Sequence, residues 1–243
     1  MLFRSSGAVG TAAAEGGTVS RAAILAKVRA GLKIEPGADA ARRAGIEARL
    51  AGGGSHLVPE RGRVGGNERV ALFKSFLAAQ ATDLVELSDA AEIPQAIAGY
   101  LEARGLPLRV RTGCDPLFAG LPWAEAPSLA RATGAARPDD TAALSRAIAG
   151  VAETGTLLLA SGPDNPTTLA LLPETHLVVL RRDTIVGSYE EAVALTAAEL
   201  GSAALPHTLN LVTGASRTGD IGGRIVMGAH GPRRLAVILL GGN

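Results

Sequence analysis

Apolar residues recur along this chain in two rhythms. In "RAAILAKVRAGL", Ile24, Leu25, Val28 and Leu32 fall on one helical stripe, with Ser20 placed as the cap. Val70, Phe73 and Leu77 form a second stripe behind Asn67. Beyond residue 80, short apolar runs alternate with helical patterns. "ATDLVEL", "LPLRVRTG", "TGTLLLAS", "THLVVL", "TIVG", "TLNLVTG" and "RLAVILL" read as strands. Ser88 opens a predicted helix carrying Ile97 and Leu101, which Gly105 stops, and Ser188 with Glu191 makes a capping box for a helix ending near Leu200. Asp139 or Asp140 is placed to cap a helix with Leu144, Ile148 and Val151 at i, i+4 and i+7.

Several strands are continuous apolar runs, as expected where both faces are buried. Strands interleaved with helices predict an α/β domain: an open, Rossmann-like, mostly parallel sheet with flanking helices. An N-terminal helical segment with an irregular connection, residues 20 to 66, precedes the α/β domain at 67 to 243. Residues 1 to 19, rich in Gly, Ala, Ser and Thr, read as disordered or as a misassigned start.

Composition narrows the function. Of 243 residues, 47% are apolar but only seven are aromatic, so the core must be built from Ala, Val, Leu and Ile. The formal net charge of +1 provides no global field for nucleic acid or an anionic membrane. No apolar run approaches a membrane span, the N-terminus lacks a secretory h-region, and a cytoplasmic protein is expected. The single cysteine, Cys114, can form no internal disulfide and by itself holds no iron–sulfur cluster. His56, His176, His207 and His230 have no metal-ligand spacing, so no metal site is expected.

Two strands run into loops with suitable chemistry. The first loop holds Ser161, Gly162, Asp164, Asn165, Thr167 and Thr168; the second holds Gly214, Ser216, Arg217, Thr218 and Asp220. Ligands of open parallel sheets bind beyond the strand carboxyl ends, and Gly with small hydroxyl residues lets amides converge on an anion. Arg217 can add a bidentate clamp for a carboxylate or phosphate; the alternative is a surface turn whose charges satisfy each other. Glu153, at the head of "TGTLLLAS", is either a catalytic carboxylate or a structural acceptor for backbone amides or an Arg. His230 stands in "MGAHGPRR" beside Gly, Pro and two Arg.

Taken together, "AETGTLLLASGP", "LALLPETHLVVL" and "SRTGDIGGRIVMGAHGPRRLAVILL" resemble the lactate-utilisation protein C (LutC) family, the LUD domain, over roughly residues 20 to 240. The resemblance implies a fold like the NagB/RpiA/CoA-transferase group. It also implies a role in oxidising L-lactate to pyruvate as the non-iron–sulfur subunit or accessory protein of a bacterial system. On that reading the chain binds no cofactor itself, the clusters belong to partner subunits, and it is a component rather than an independent catalyst. Motif by motif, Glu153, Thr154, Gly155 and Thr156 match E-T-G-T, while Pro173, Glu174 and His176 match P-E-x-H. Ser216, Arg217, Thr218 and Asp220 match S-R-T-x-D, and His230, Gly231 and Pro232 match H-G-P. Gly222 departs from the pattern, standing where the family usually has an acidic residue. The expected site places Arg217 with Ser216 and Thr218 around a carboxylate or phosphate, with Thr154, Gly155, Thr156 and Asp220 contributing and Glu153 and His230 as candidate catalytic groups. Two alternatives stay open: a stand-alone CoA-transferase-like or sugar-phosphate enzyme acting through Glu153, and a non-catalytic small-carboxylate-binding protein.

Overall fold

Strand formation dominates the part of the chain with the longest apolar runs. A computed structural model describes residues 20–33, 38–51, 57–201 and 206–241; the expectation for residues 1 to 19 lies outside them. The chain divides into two compact units, Met1–His56 and Leu57–Asn243. The first carries α1 (Arg21–Gly31) and α2 (Ala38–Ala51). Ser20 caps α1 as expected, its Oγ accepting from Ala23 N at 3.2 Å.

The second unit begins at Leu57. The turn Glu60–Arg63 belongs to it, because Gly62 packs against Gly187. Its elements are α3 (Gly66–Ala79), β1 (Asp83–Leu87), α4 (Ile93–Glu102), β2 (Arg109–Thr112), α5 (Pro116–Ala119), β3 (Ala130–Thr133), β4 (Ala142–Arg146), β5 (Ala149–Val151), β6 (Thr156–Ala160), α6 (Thr168–Leu171), β7 (Thr175–Arg181), β8 (Ile185–Val186), α7 (Tyr189–Glu199), β9 (Leu209–Val212), β10 (Arg217–Ile221), β11 (Arg224–Met227) and β12 (Arg234–Leu240).

β1-β12-β7-β4-β2-β3 form one sheet in that order, every pair parallel. The expected Rossmann-like, mostly parallel sheet is therefore present. β7 and β12 read as continuous apolar runs because both faces are covered. Leu177, Val179, Ala236 and Ile238 pack under α4 with Ile97 and Phe118. Val178, Leu180, Val237 and Leu239 pack on the other side against Phe73 and Leu77 of α3 and against Leu157 and Leu159 of β6.

β6 thus belongs to a second sheet, β8-β5-β6-β9, which is antiparallel at β5–β6 and β6–β9. α7 covers its far face through Ala192, packed with Ala149, Val151 and Leu158. The predicted helix with Leu144, Ile148 and Val151 is instead β4 and β5. Residues 142 to 145 and 147 to 153 are all buried, and a segment buried on both sides loses the polar positions that would report a period. "SRTGDIGGRIVM", expected as a loop, is the hairpin β10–β11. Gly222 and Gly223, at φ +62° and +71°, make its two-residue turn, which demands left-handed backbone at both positions.

Ion pairs fasten the sheet. Arg111 of β2 holds Asp140 with two hydrogen bonds of 2.8 and 3.1 Å, both side chains nearly buried. Desolvation opposes ionisation of Asp140, but the Arg111 hydrogen bonds and the Arg137 amide outweigh it and hold the carboxyl below its ordinary range. Arg146, ending β4, reaches Asp115 beyond β2 at 2.6 Å and Glu199 of α7 at 3.0 Å. Among the described residues no helix is long and apolar enough to cross a membrane.

Candidate functional site

The segment joining β9 to β12 folds back on itself and brings two motifs together. Ser216 N donates to Pro232 O at 2.8 Å and Gly228 N to Ser216 O at 2.9 Å. This latch sets Ser216 and Arg217 beside His230 and Gly231 in a cleft of about 390 Å³. Leu171 of α6 and Leu211 of β9 give it an apolar side. The cleft lies toward the amino ends of the parallel strands, since α6 leads into β7, Pro232 into β12 and Gln80 into β1. The two candidate loops follow β6 and β9, strands of the antiparallel sheet, which moves this cleft away from the parallel-strand carboxyl ends where it was expected.

Arg217 is exposed and donates one N–H to Gln80 O at 2.6 Å. Its remaining donors are available to a planar anion. His230 is exposed, and Ser216 is half-buried beside Gly231. Thr218 and Asp220 lie on the hairpin strand outside the lining, with Asp220 N donating to Thr218 Oγ1 at 3.4 Å.

The E-T-G-T motif is the turn between β5 and β6. Thr156 is fully buried, and its Oγ1 shares hydrogen bonds with Thr154 (2.8 Å), Tyr189 (2.8 Å) and Thr213 (2.7 Å). Gly155 has φ +67°, and a Cβ there would meet Phe76 Cβ at 2.7 Å. Glu153 is only 4% exposed; its amide donates to Gly187 O at 3.2 Å, and its carboxylate lies under Gly62. Among the described residues it makes no ion pair, and Arg217 is committed to Gln80 rather than to it. Gln80 was not singled out from the sequence. It joins the two regions by donating Nε2 to Thr154 O at 2.9 Å while accepting from Arg217, and a lone Gln at a helix end carries no signal of this.

The other loop, Ser161 to Thr168, is tied down internally. Ser161 Oγ accepts from Thr208 N, Asn165 Nδ2 donates to Ala160 O, and Thr168 Oγ1 accepts from Ala136 N. His176 is fully buried in β7 with Nε2 3.0 Å from Ser145 Oγ, and burial lowers its pKa to about 4. Glu174 of the same motif faces Arg234 at 3.5 Å. Cys114 is exposed, and among the described residues no three His, Cys, Asp or Glu side chains gather to hold a metal.

A parallel six-stranded sheet between helical and antiparallel layers, with a polar cleft built by a folded-back hairpin, defines a Rossmann-like α/β protein. Residues 140–240 match the model of the LUD domain. It is 39% identical over 92 residues to lactate utilization protein C of Deinococcus radiodurans, covering 37% of this chain and 42% of that one. It is 35% identical over 99 residues to an uncharacterized protein of Neisseria meningitidis, covering 41% and 42%. The match thus spans about two-fifths of these relatives' length. A solved structure of a DUF162 family protein from Deinococcus radiodurans superposes with a TM-score of 0.56 at 28% identity, covering 73% of this chain and 99% of that one. Every cleft residue from Leu171 to Pro232 lies inside the LUD segment, and Gln80 lies outside it.

Proposed function

We propose that the chain serves lactate utilisation as the non-iron–sulfur component of an L-lactate-oxidising system, and that the Ser216–Arg217–His230 cleft receives the small carboxylate. The observation that carries this reading is the convergence of two separate motifs on one cleft within the LUD segment. The guanidinium of Arg217 pairs with the ligand's carboxylate, Ser216 Oγ supports its α-oxygen, and the His230 imidazole stands ready to take the hydroxyl proton. Oxidation of lactate to pyruvate also breaks the Cα–H bond, releasing a second proton to solvent and an electron pair that clusters on cysteine-rich partners accept one electron at a time. Cys114, as the lone thiol, cannot ligate a cluster by itself.

The test is calorimetric titration of pyruvate and L-lactate into the purified chain. Wild type binds, and Arg217→Ala lowers affinity at least about tenfold, the loss expected for a charge-assisted hydrogen-bonded pair. Equal affinity in wild type and Arg217→Ala, with both folded, contradicts the assignment.

A further inference from the structure

A second, larger cleft of about 660 Å³ opens at the opposite end of the parallel sheet. β7 ends at Arg181 and β12 at Leu240, and both residues line it, so the cleft lies beyond the carboxyl ends of these paired strands. Open α/β sheets take ligands in that position, and the volume falls in the range of small-molecule sites. Val70, Leu117, Ile185 and Leu240 give it an apolar surface, while Arg69, Arg181 and Arg182 supply positive charge against one carboxylate, Asp183.

The three arginines are not equally engaged. Arg181 is paired with Asp183. Arg69 donates Nε to Val64 O at 3.0 Å and stands 4.0 Å from Glu191. Arg182 is half-buried, and among the described residues its guanidinium meets only Asn67 Oδ1, at 3.4 Å, with no carboxylate in ion-pair reach. A guanidinium partly withdrawn from water with most donors unspent favours an anion, above all a phosphate it can grip with two N–H groups. Gly66 and Asn67 of the first turn of α3 also line the cleft, and the Gly65 cap offers that turn no side-chain acceptor. Its amides and the helix dipole add to the preference for negative charge.

We propose that this cleft is a second ligand site, for a phosphate-bearing molecule with an apolar ring body, of the nucleoside-phosphate class. The phosphates lie against Arg182 and Arg69, and the ring lies on Val70, Leu117 and Leu240. The site is separate from the carboxylate cleft and does not depend on what that cleft binds.

The experiment is calorimetric titration of ADP, inorganic pyrophosphate and adenosine into the full chain. ADP is expected to bind at least about tenfold more tightly than either fragment, since both surfaces contribute. Arg182→Ala weakens ADP at least about tenfold. Leu117→Trp, which fills the apolar side, weakens ADP but spares pyrophosphate, and Arg217→Ala leaves ADP binding unchanged. Thermal midpoints confirm that each variant is folded. No ADP binding, or ADP affinity indifferent to both Arg182→Ala and Leu117→Trp, overturns the proposal. Pyrophosphate binding as tightly as ADP overturns the ring site, and loss of ADP binding in Arg217→Ala overturns the separation of the two clefts.

Discussion

His176 shows how one buried residue couples the fold to pH. It sits on β7, between β4 and β12, with Ser145 as the hydrogen-bond partner of Nε2, and among the described residues Nδ1 has none. Burial disfavours the imidazolium and lowers the folded pKa to about 4, against 6.5 for the unfolded chain. Between those values the unfolded state takes up a proton that the folded state refuses. Stability is therefore complete above about pH 6.5 and is lost as pH falls toward 4, by on the order of 3 kcal/mol from this residue. Denaturant unfolding at pH 7 and pH 5 checks this: wild type loses about 2 kcal/mol more than His176→Gln between the two. Equal losses in the two proteins contradict it. Glu153 belongs to the same scale. Its acidic position at a strand head reads from the sequence as a group needing compensation, but its actual cover, Gly62 and Gly187, comes from segments far apart in the chain.

Elements depend on turns as much as on apolar runs. The β5–β6 connection works because Gly155 takes a left-handed conformation pressed against α3. Gly155→Ala adds a strained φ and a Cβ at 2.7 Å from Phe76 Cβ, so it should destabilise the chain by about 2 kcal/mol or more, measured by chemical denaturation. A change below about 0.5 kcal/mol, within the range of neutral surface substitutions, contradicts that account. The same physics explains what the sequence could and could not reveal. α3, β1, β7 and β12 are legible because stripes and apolar runs are long and bounded by breakers. The stretch from Ala142 to Val151 is not, because small apolar residues spaced i, i+4, i+7 satisfy a helix and a pair of buried strands equally. The hairpin β10–β11 is hidden by Gly219, Asp220 and a register shift between Thr218 and Ile221, which erase the alternation of a strand. Gly222 is explained at this scale, as half of the turn.

Across the whole molecule the two clefts occupy opposite ends of one parallel sheet. The cleft at Ser216, Arg217 and His230 was partly legible, since these residues lie in recognisable motifs. Their neighbour Gln80 comes from another part of the chain. The carboxyl-end cleft was not legible, because α3, α5, β7 and β12 each lend it one or a few residues and no motif joins them. Strand order reverses between β2 and β4, where Arg146 bridges to Asp115 and Glu199, and the open space lies instead beyond β7 and β12.

The most direct test is anaerobic affinity purification of the tagged chain from its native cell, with L-lactate oxidation assayed on the eluate for wild type and Arg217→Ala. The account predicts brown, cysteine-rich partners with both proteins, and turnover that is present in wild type and falls at least about tenfold in the variant. A chain that elutes alone, colourless and inactive, contradicts it.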